Sequence, residues 1–286
     1  MFLVPVIANL HNSYTDLEED ARNLPGRLQL VKRIGTRCLS VIVGVGLAII
    51  VMLCASLGWL PLLLALIGAL LLLSYSAQPL RVKARPISGL VVFSLVVAFP
   101  FIIGAVVGVK WMTPNLDLTW NVWAWWGYLI LLFIAKGCVK NVPDYYGDKD
   151  AGIRNSATIM SDRKKAAFVA VIITWIAYLA FPLVVWVTNS PKLLFWACPW
   201  VLFAMWHVSR LLNSEDTKFL NSVLKWDMSV SVIFLSHLAV LSNLSIHACI
   251  VTVICLLLLA ISDIIGADSR ATIHLSELSG NKSKAA

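Results

Sequence analysis

Asp16 and Asp20 stand four residues apart in Asn12-Ser13-Tyr14-Thr15-Asp16-Leu17-Glu18-Glu19-Asp20. Asp144 and Asp148 repeat the spacing in Lys140-Asn141-Val142-Pro143-Asp144-Tyr145-Tyr146-Gly147-Asp148. On a helical turn, residues four apart face the same way, so each pair offers one acidic face. Two such faces brought together make an oxygen-rich site for a hard divalent cation such as Mg²⁺, which in turn holds a diphosphate. Lys140, Arg81 and Lys83 could clamp the phosphate oxygens directly. Either cluster alone is explained about equally well as a solvated acidic loop paired with neighbouring Arg and Lys side chains. The joint occurrence favours a functional site. Both clusters directly follow an apolar helix, and a membrane interface rarely gathers carboxylates without cations to offset them.

The elements that must position these groups are membrane helices. Hydrophobic residues make up 59% of the chain and charged residues 13%, a balance that needs the bilayer as solvent. Apolar runs lie at roughly 38–57, 60–78, 87–109, 119–138, 166–188, 193–212, 228–244 and 246–265, each near the ~20 residues that a helix needs to cross. They lack the alternation of barrel strands. The expected fold is therefore all-α, a polytopic transmembrane helical bundle with a central cavity open to the cytoplasmic interface.

The net charge of +8 is a matter of topology. Basic residues fill alternate loops (22–37, 81–85, 140–165 and 210–225) and the tail, while the intervening loops carry Lys110 and Lys192 alone. This positive-inside pattern places both acidic pairs and the C-terminus in the cytoplasm, and it removes the need for a nucleic-acid partner. Single cysteines at Ser88 or Ser161 should therefore label from the cytoplasmic side, and one at Asn189 from the other. Labelling of Ser161 and Asn189 from one side would refute the map.

Six cysteines lie in or beside apolar runs without a CxxC pair, so they behave as small hydrophobes. Lys136, one turn before Lys140, is expected to snorkel to the interface. His207, His237 and His247 sit alone in spans and read as hydrogen-bonded packing residues. Residues 1–10 form an apolar stub too short to span, read as the tail of a longer helix whose beginning is missing from this chain. Residues 266–286 read as a polar cytoplasmic tail.

At this point the motifs resemble those of the UbiA-type intramembrane prenyltransferases. The signature Asn-x-x-x-Asp-x-x-x-Asp with its basic stretch is matched by Asn12, Asp16, Asp20, Asn23 and Arg27. A Tyr-Ser-x-x-Pro-x-Arg-x-Lys segment is matched by Tyr75, Ser76, Pro79, Arg81 and Lys83. The second acidic signature is matched by Asp144, Gly147, Asp148, Gly152 and Thr158. Ser13 and Asn141 stand where relatives often carry Asp, each removing one charge.

The resemblance implies a membrane domain over residues 1–265, truncated in its first helices, and the tail after it. It implies transfer of a prenyl group from a polyprenyl diphosphate to a small acceptor; an aromatic one is expected, with a tetrapyrrole, a glycerol phosphate and a sugar phosphate left open. Mg²⁺ is the implied cofactor, held by Asp16, Asp20, Asp144 and Asp148, which act with Lys140. Substrate contacts fall to Asn12, Arg27, Tyr75, Arg81, Lys83 and Tyr145. A ring face of Tyr75, Tyr145 or Tyr146 could stabilise a carbocation, although interfacial anchoring explains the last two as well. The implied partners are the two substrates and the lipid bilayer, with no protein partner, and the expected location is the cell membrane. Two other readings stand beside this one. The first is an inactive relative that binds isoprenoid lipid. The second is a membrane transporter, which would place ionisable groups near the bilayer midplane.

Overall fold

Continuous Leu, Ile, Val and Ala runs leave the backbone one way to satisfy its hydrogen bonds in lipid, the helix. The structure is a computed structural model that describes residues 3–17, 20, 25–112 and 118–264. In chain order its helices are α1 (Leu3–Thr15), α2 (Pro25–Ile34), α3 (Thr36–Leu57), α4 (Trp59–Ser76), α5 (Pro86–Met112) and α6 (Trp120–Asn141). They continue as α7 (Tyr145–Asp150), α8 (Arg163–Val187), α9 (Cys198–Ser209), α10 (Thr217–Ser242) and α11 (Ile246–Ile264). Packing follows the chain: α3 on α4, α4 on α5, α5 on α6, α6 on α8, α8 on α9, α9 on α10 and α10 on α11. The reversal between α3 and α4 turns on Gly58, whose φ of 128° suits glycine because a Cβ would clash there.

Among the described residues, six helices (α3, α4, α5, α6, α8 and α10) are long and apolar enough to cross a bilayer. The all-α polytopic bundle is thus the observed architecture; α11, in the expected run 246–265, is not among the six, and two further differences from the expected spans follow. The run at 193–212 is not one α-helix. It is a 3-10 segment, Lys192–Ala197, followed by the 12-residue α9 and a 3-10 turn, Arg210–Leu212. Pro199 falls in the first turn of α9, where its missing N–H is not needed but a helix arriving from upstream could not pass. The second difference is that α10 begins at Thr217 instead of 228, because Asp216 caps it by accepting from the Phe219 N–H at 3.0 Å. That places Asp227 well inside a membrane helix.

This early start overturns the expectation for Lys136. Its Nζ does not snorkel but lies 2.7 Å from Asp227 Oδ1 and 4.8 Å from the centroid of the Tyr178 ring, with all three side chains buried. A counter-charge on α10 holds it inside the bundle. Removing one partner of such a pair costs about 3–5 kcal/mol, because a buried charge is left uncompensated. Around the pair, Tyr128, Leu132, Phe181 and Phe234 form the core between α6, α8 and α10. A separate cluster of Ile7, Val43, Leu72 and Val96 joins α1, α3, α4 and α5. His207 is a packing residue, its Nε2 3.0 Å from the Val223 carbonyl oxygen, and all six cysteines are free.

Candidate active site

The first acidic segment keeps helical hydrogen bonding past the end of α1. The Asp16 N–H donates to the Asn12 carbonyl (2.9 Å) and the Asp20 N–H to the Asp16 carbonyl (2.8 Å), so all three residues share a face. Asn12 Oδ1 accepts from Ser76 Oγ at 2.9 Å, which fastens this segment to the end of α4 beside Tyr75. Asp16 forms an ion pair of 2.6 Å with Lys83 Nζ. Lys83 sits in a 3-10 turn, Val82–Ala84, entered through Arg81 at a φ of 36°. For a non-glycine residue that conformation costs of order 1–3 kcal/mol, so the surroundings must impose it.

Asp20 is buried, and Arg27 of α2 grips both of its oxygens through Nε and Nη2. Burial pushes the Asp20 carboxyl up to about 6, and the Arg27 guanidinium opposes the rise. His11, next to Asn12, is buried with its ring edge-on to Tyr14 at 5.3 Å; burial pushes its imidazole down, which favours the neutral form. Glu18, Glu19 and Asn23 lie outside the described residues.

The second acidic segment follows the last turn of α6. The Asp148 N–H donates to the Asp144 carbonyl at 2.9 Å, which puts the two aspartates one turn apart. Gly152, at a φ of 71°, ends α7 and lets the Ile153 N–H return to the Asp148 carbonyl (2.8 Å). The chain then folds over the helix. Asn155, itself buried, donates from Nδ2 to Asp148 Oδ2 at 2.6 Å and accepts on Oδ1 from the N–H groups of Ala157 (2.9 Å) and Thr158 (3.0 Å). Thr158 Oγ1 closes the turn on the Ile153 carbonyl at 2.6 Å, and Asn141 Nδ2 donates to Ser156 Oγ at 2.9 Å. Asn155 is not among the expected site residues, although Asn-Ser-Ala-Thr shortly after the Gly152 turn is a composition that caps its own backbone.

Tyr75 is the common neighbour of the two segments, within electrostatic reach of Asp16, Asp144 and Asp148. Its ring lies 6.2 Å from that of Phe93, and Lys140 Nζ stands 5.6 Å from the centroid of the same Phe93 ring. Tyr145 is placed differently. It is buried in the loop's own small core with Ala157 and Ala166, and its hydroxyl donates to the Met160 carbonyl at 3.0 Å. Tyr146 is exposed, with the Arg163 guanidinium 4.5 Å from its ring centroid. Arg163 in turn bonds Thr217 Oγ1 (2.9 Å) and the Glu215 carbonyl, tying the acidic loop to the start of α10. A cavity of about 220 Å³ lined by Val142, Arg163, Lys164 and the 211–215 connection contains none of the motif side chains. Among the described residues, no group of three or more His, Cys, Asp or Glu side chains is gathered to hold a metal ion.

A solved structure of a digeranylgeranylglyceryl phosphate synthase of membranes has a similar fold, with a TM-score of 0.57 over 83% of this chain and 81% of that one. The two are 20% identical in sequence, so the likeness speaks to the fold alone. No curated protein sequence matches the chain. The sequence model of the UbiA prenyltransferase family, by contrast, matches residues 1–233, a stretch that holds both acidic segments and the Tyr75–Lys83 segment between them. On that match, the chain belongs to the UbiA prenyltransferase family.

Proposed function

We propose that the protein transfers a prenyl group from a polyprenyl diphosphate to a small, aromatic acceptor within the membrane, in a Mg²⁺-dependent reaction at Asp16, Asp20, Asp144 and Asp148. The observation that carries this reading is the Phe93 ring, shared by Tyr75, whose segment is fastened to the first acidic segment through Ser76 and Lys83, and by Lys140 of the second. The donor set suits the ion. Mg²⁺ is usually held by one or two carboxylates together with substrate phosphates, so acidic pairs fit it better than a closed protein cage would. When bound, it neutralises the charge of the departing diphosphate.

The chain's own residues supply the rest. Lys83, Arg27, Arg81 and Lys140 offer hydrogen bonds to phosphate oxygens, which stabilise the leaving group as its charge grows. The bond broken joins the allylic carbon to a diphosphate oxygen, and its electron pair leaves with the diphosphate. The acceptor then bonds to that carbon and gives up a proton. Tyr75, backed by Phe93, presents a ring face to the electron-poor carbon. Asn12, held by Ser76, keeps the first acidic face against α4. We assign Tyr145 to the packing of the second loop because its hydroxyl is already engaged by Met160. The Lys136–Asp227 pair lies inside the spans, a placement that a carrier would share, but the family match over residues 1–233 favours prenyl transfer.

The test is turnover and binding of a radiolabelled polyprenyl diphosphate by the protein in nanodiscs. Binding and turnover should vanish in excess chelator; equal binding with chelator present would overturn the proposal. Proton competition gives a second measurement. Asp20, pushed up to about 6, must lose its proton to act as a ligand. Affinity for Mg²⁺ should therefore fall about tenfold per pH unit as the pH drops below about 6, and a flat titration from neutral to acid pH would count against Asp20 as a ligand. A third measurement concerns Gly89, where a Cβ would stand 3.1 Å from the Val82 carbonyl oxygen and 3.2 Å from Lys83 Cα. Gly89→Ala should push the Lys83 turn off Asp16 and lower kcat/KM about tenfold with little change in Tm.

A further inference from the structure

We propose that the intramembrane pair Lys136–Asp227 is a positioning device that sets where the second acidic loop stands relative to the first. The inference rests on the site reading above and adds to it a residue, Asp227, that belongs to neither acidic motif. Lys136 lies one turn before Lys140 and two before Asp144 on the same run of chain. Its neighbour Gly137 is in close contact with α5: a Cβ there would stand 2.7 Å from Leu90 Cδ2 and 3.3 Å from Phe93 Cδ1. Phe93 is also the ring beside Lys140 and Tyr75. The last turns of α6 are thus held by α5 at Gly137 and by α10 at Lys136.

The two attachments differ in kind. Apolar packing holds helices together but tolerates small slides and rotations. A buried charge pair is more demanding, since a displacement that separates the partners leaves two uncompensated charges. Asp227 Oδ2, which is buried, has no hydrogen-bond partner among the described residues, so Asp227 commits a single oxygen to Lys136. As a source of stability such a pair is poor, because apolar residues of like volume commonly do as well. What it adds is a defined rotation and rise for α6, and through α6 for Lys140 and Asp144.

The experiment separates placement from stability and from catalysis. Spin labels are attached at Arg85→Cys, beside the Lys83 turn, and at Arg154→Cys, in the loop that folds over Asp148, with the six native cysteines replaced. In Lys136→Met/Asp227→Leu, Tm should match that of the parent, while the label-to-label distance distribution shifts or broadens. In unlabelled protein, the double variant should lower kcat/KM for the prenyl diphosphate about 10²-fold. Lys136→Met/Asp227→Asn, which leaves no unpaired charge, provides a second variant should the first fold poorly, and it too should broaden the distribution. A parental distance distribution in whichever variant folds overturns the proposal. If the parent protein itself turns over no prenyl diphosphate, the site reading fails, and the distance measurement still decides the role of the pair.

Discussion

Alanine at Asp16 or at Asp148 is expected to lower turnover of a polyprenyl diphosphate by at least about 10³-fold, the scale of losing an electrostatic contact made to the leaving group. Two effects combine in each variant. The carboxylate that would ligate Mg²⁺ is gone, and the group it had been holding is released. Without Asp16, Lys83 loses a partner at 2.6 Å in a site where both side chains are about nine-tenths buried. Without Asp148, the Asn155 amide loses the acceptor that fixes its orientation. Arg81→Ala should cost less, about 10²-fold, because a clamp on the diphosphate is one of several stabilising contacts. Glu19→Gln should be nearly silent, since Glu19 falls outside the four-residue register of the aspartates. Product formed from a radiolabelled prenyl diphosphate gives the ranking, with Tm confirming that each variant folds. If Glu19→Gln were as damaging as Asp16→Ala, the argument from a shared helical face would be wrong.

How far the site could be read before the fold was known depended on the kind of interaction. Asp16, Asp20, Asp144 and Asp148 stood out because their spacing is local and helical hydrogen bonds preserve it. Tyr75 as the neighbour of both segments is a tertiary fact, although the motif that contains it was visible. Gly89 and Asp227 were out of reach for a different reason. The value of Gly89 lies in the absence of a side chain next to a backbone that arrives from another turn. Asp227 is not legible because the apolar run begins one residue after it, and hydropathy does not register that Asp216 starts the helix much earlier. The same blindness made 193–212 look like one span. Composition there is apolar as far as Trp206, but Pro199 marks the change from the 3-10 segment to the α-helix.

Asn155 gives the sharpest test of the second loop, since its two ends do separable things. Oδ1 accepts from two backbone N–H groups, and Nδ2 donates to Asp148. Asn155→Ala removes both. The loop would lose about 1–3 kcal/mol for backbone donors left unsatisfied, and kcat/KM should fall about 10²- to 10³-fold. Asn155→Asp keeps an oxygen for the Ala157 and Thr158 amides, so Tm should stay close to that of the parent protein. The group facing Asp148, however, changes from a donor into a second carboxylate, and two like charges at hydrogen-bonding distance repel unless a cation lies between them. Activity of the Asp variant should therefore be low at limiting Mg²⁺ and recover markedly as Mg²⁺ is raised, whereas the Ala variant should recover little. Initial rates against Mg²⁺ concentration distinguish the two. An identical response would mean that Asn155 serves loop integrity alone and does not orient Asp148.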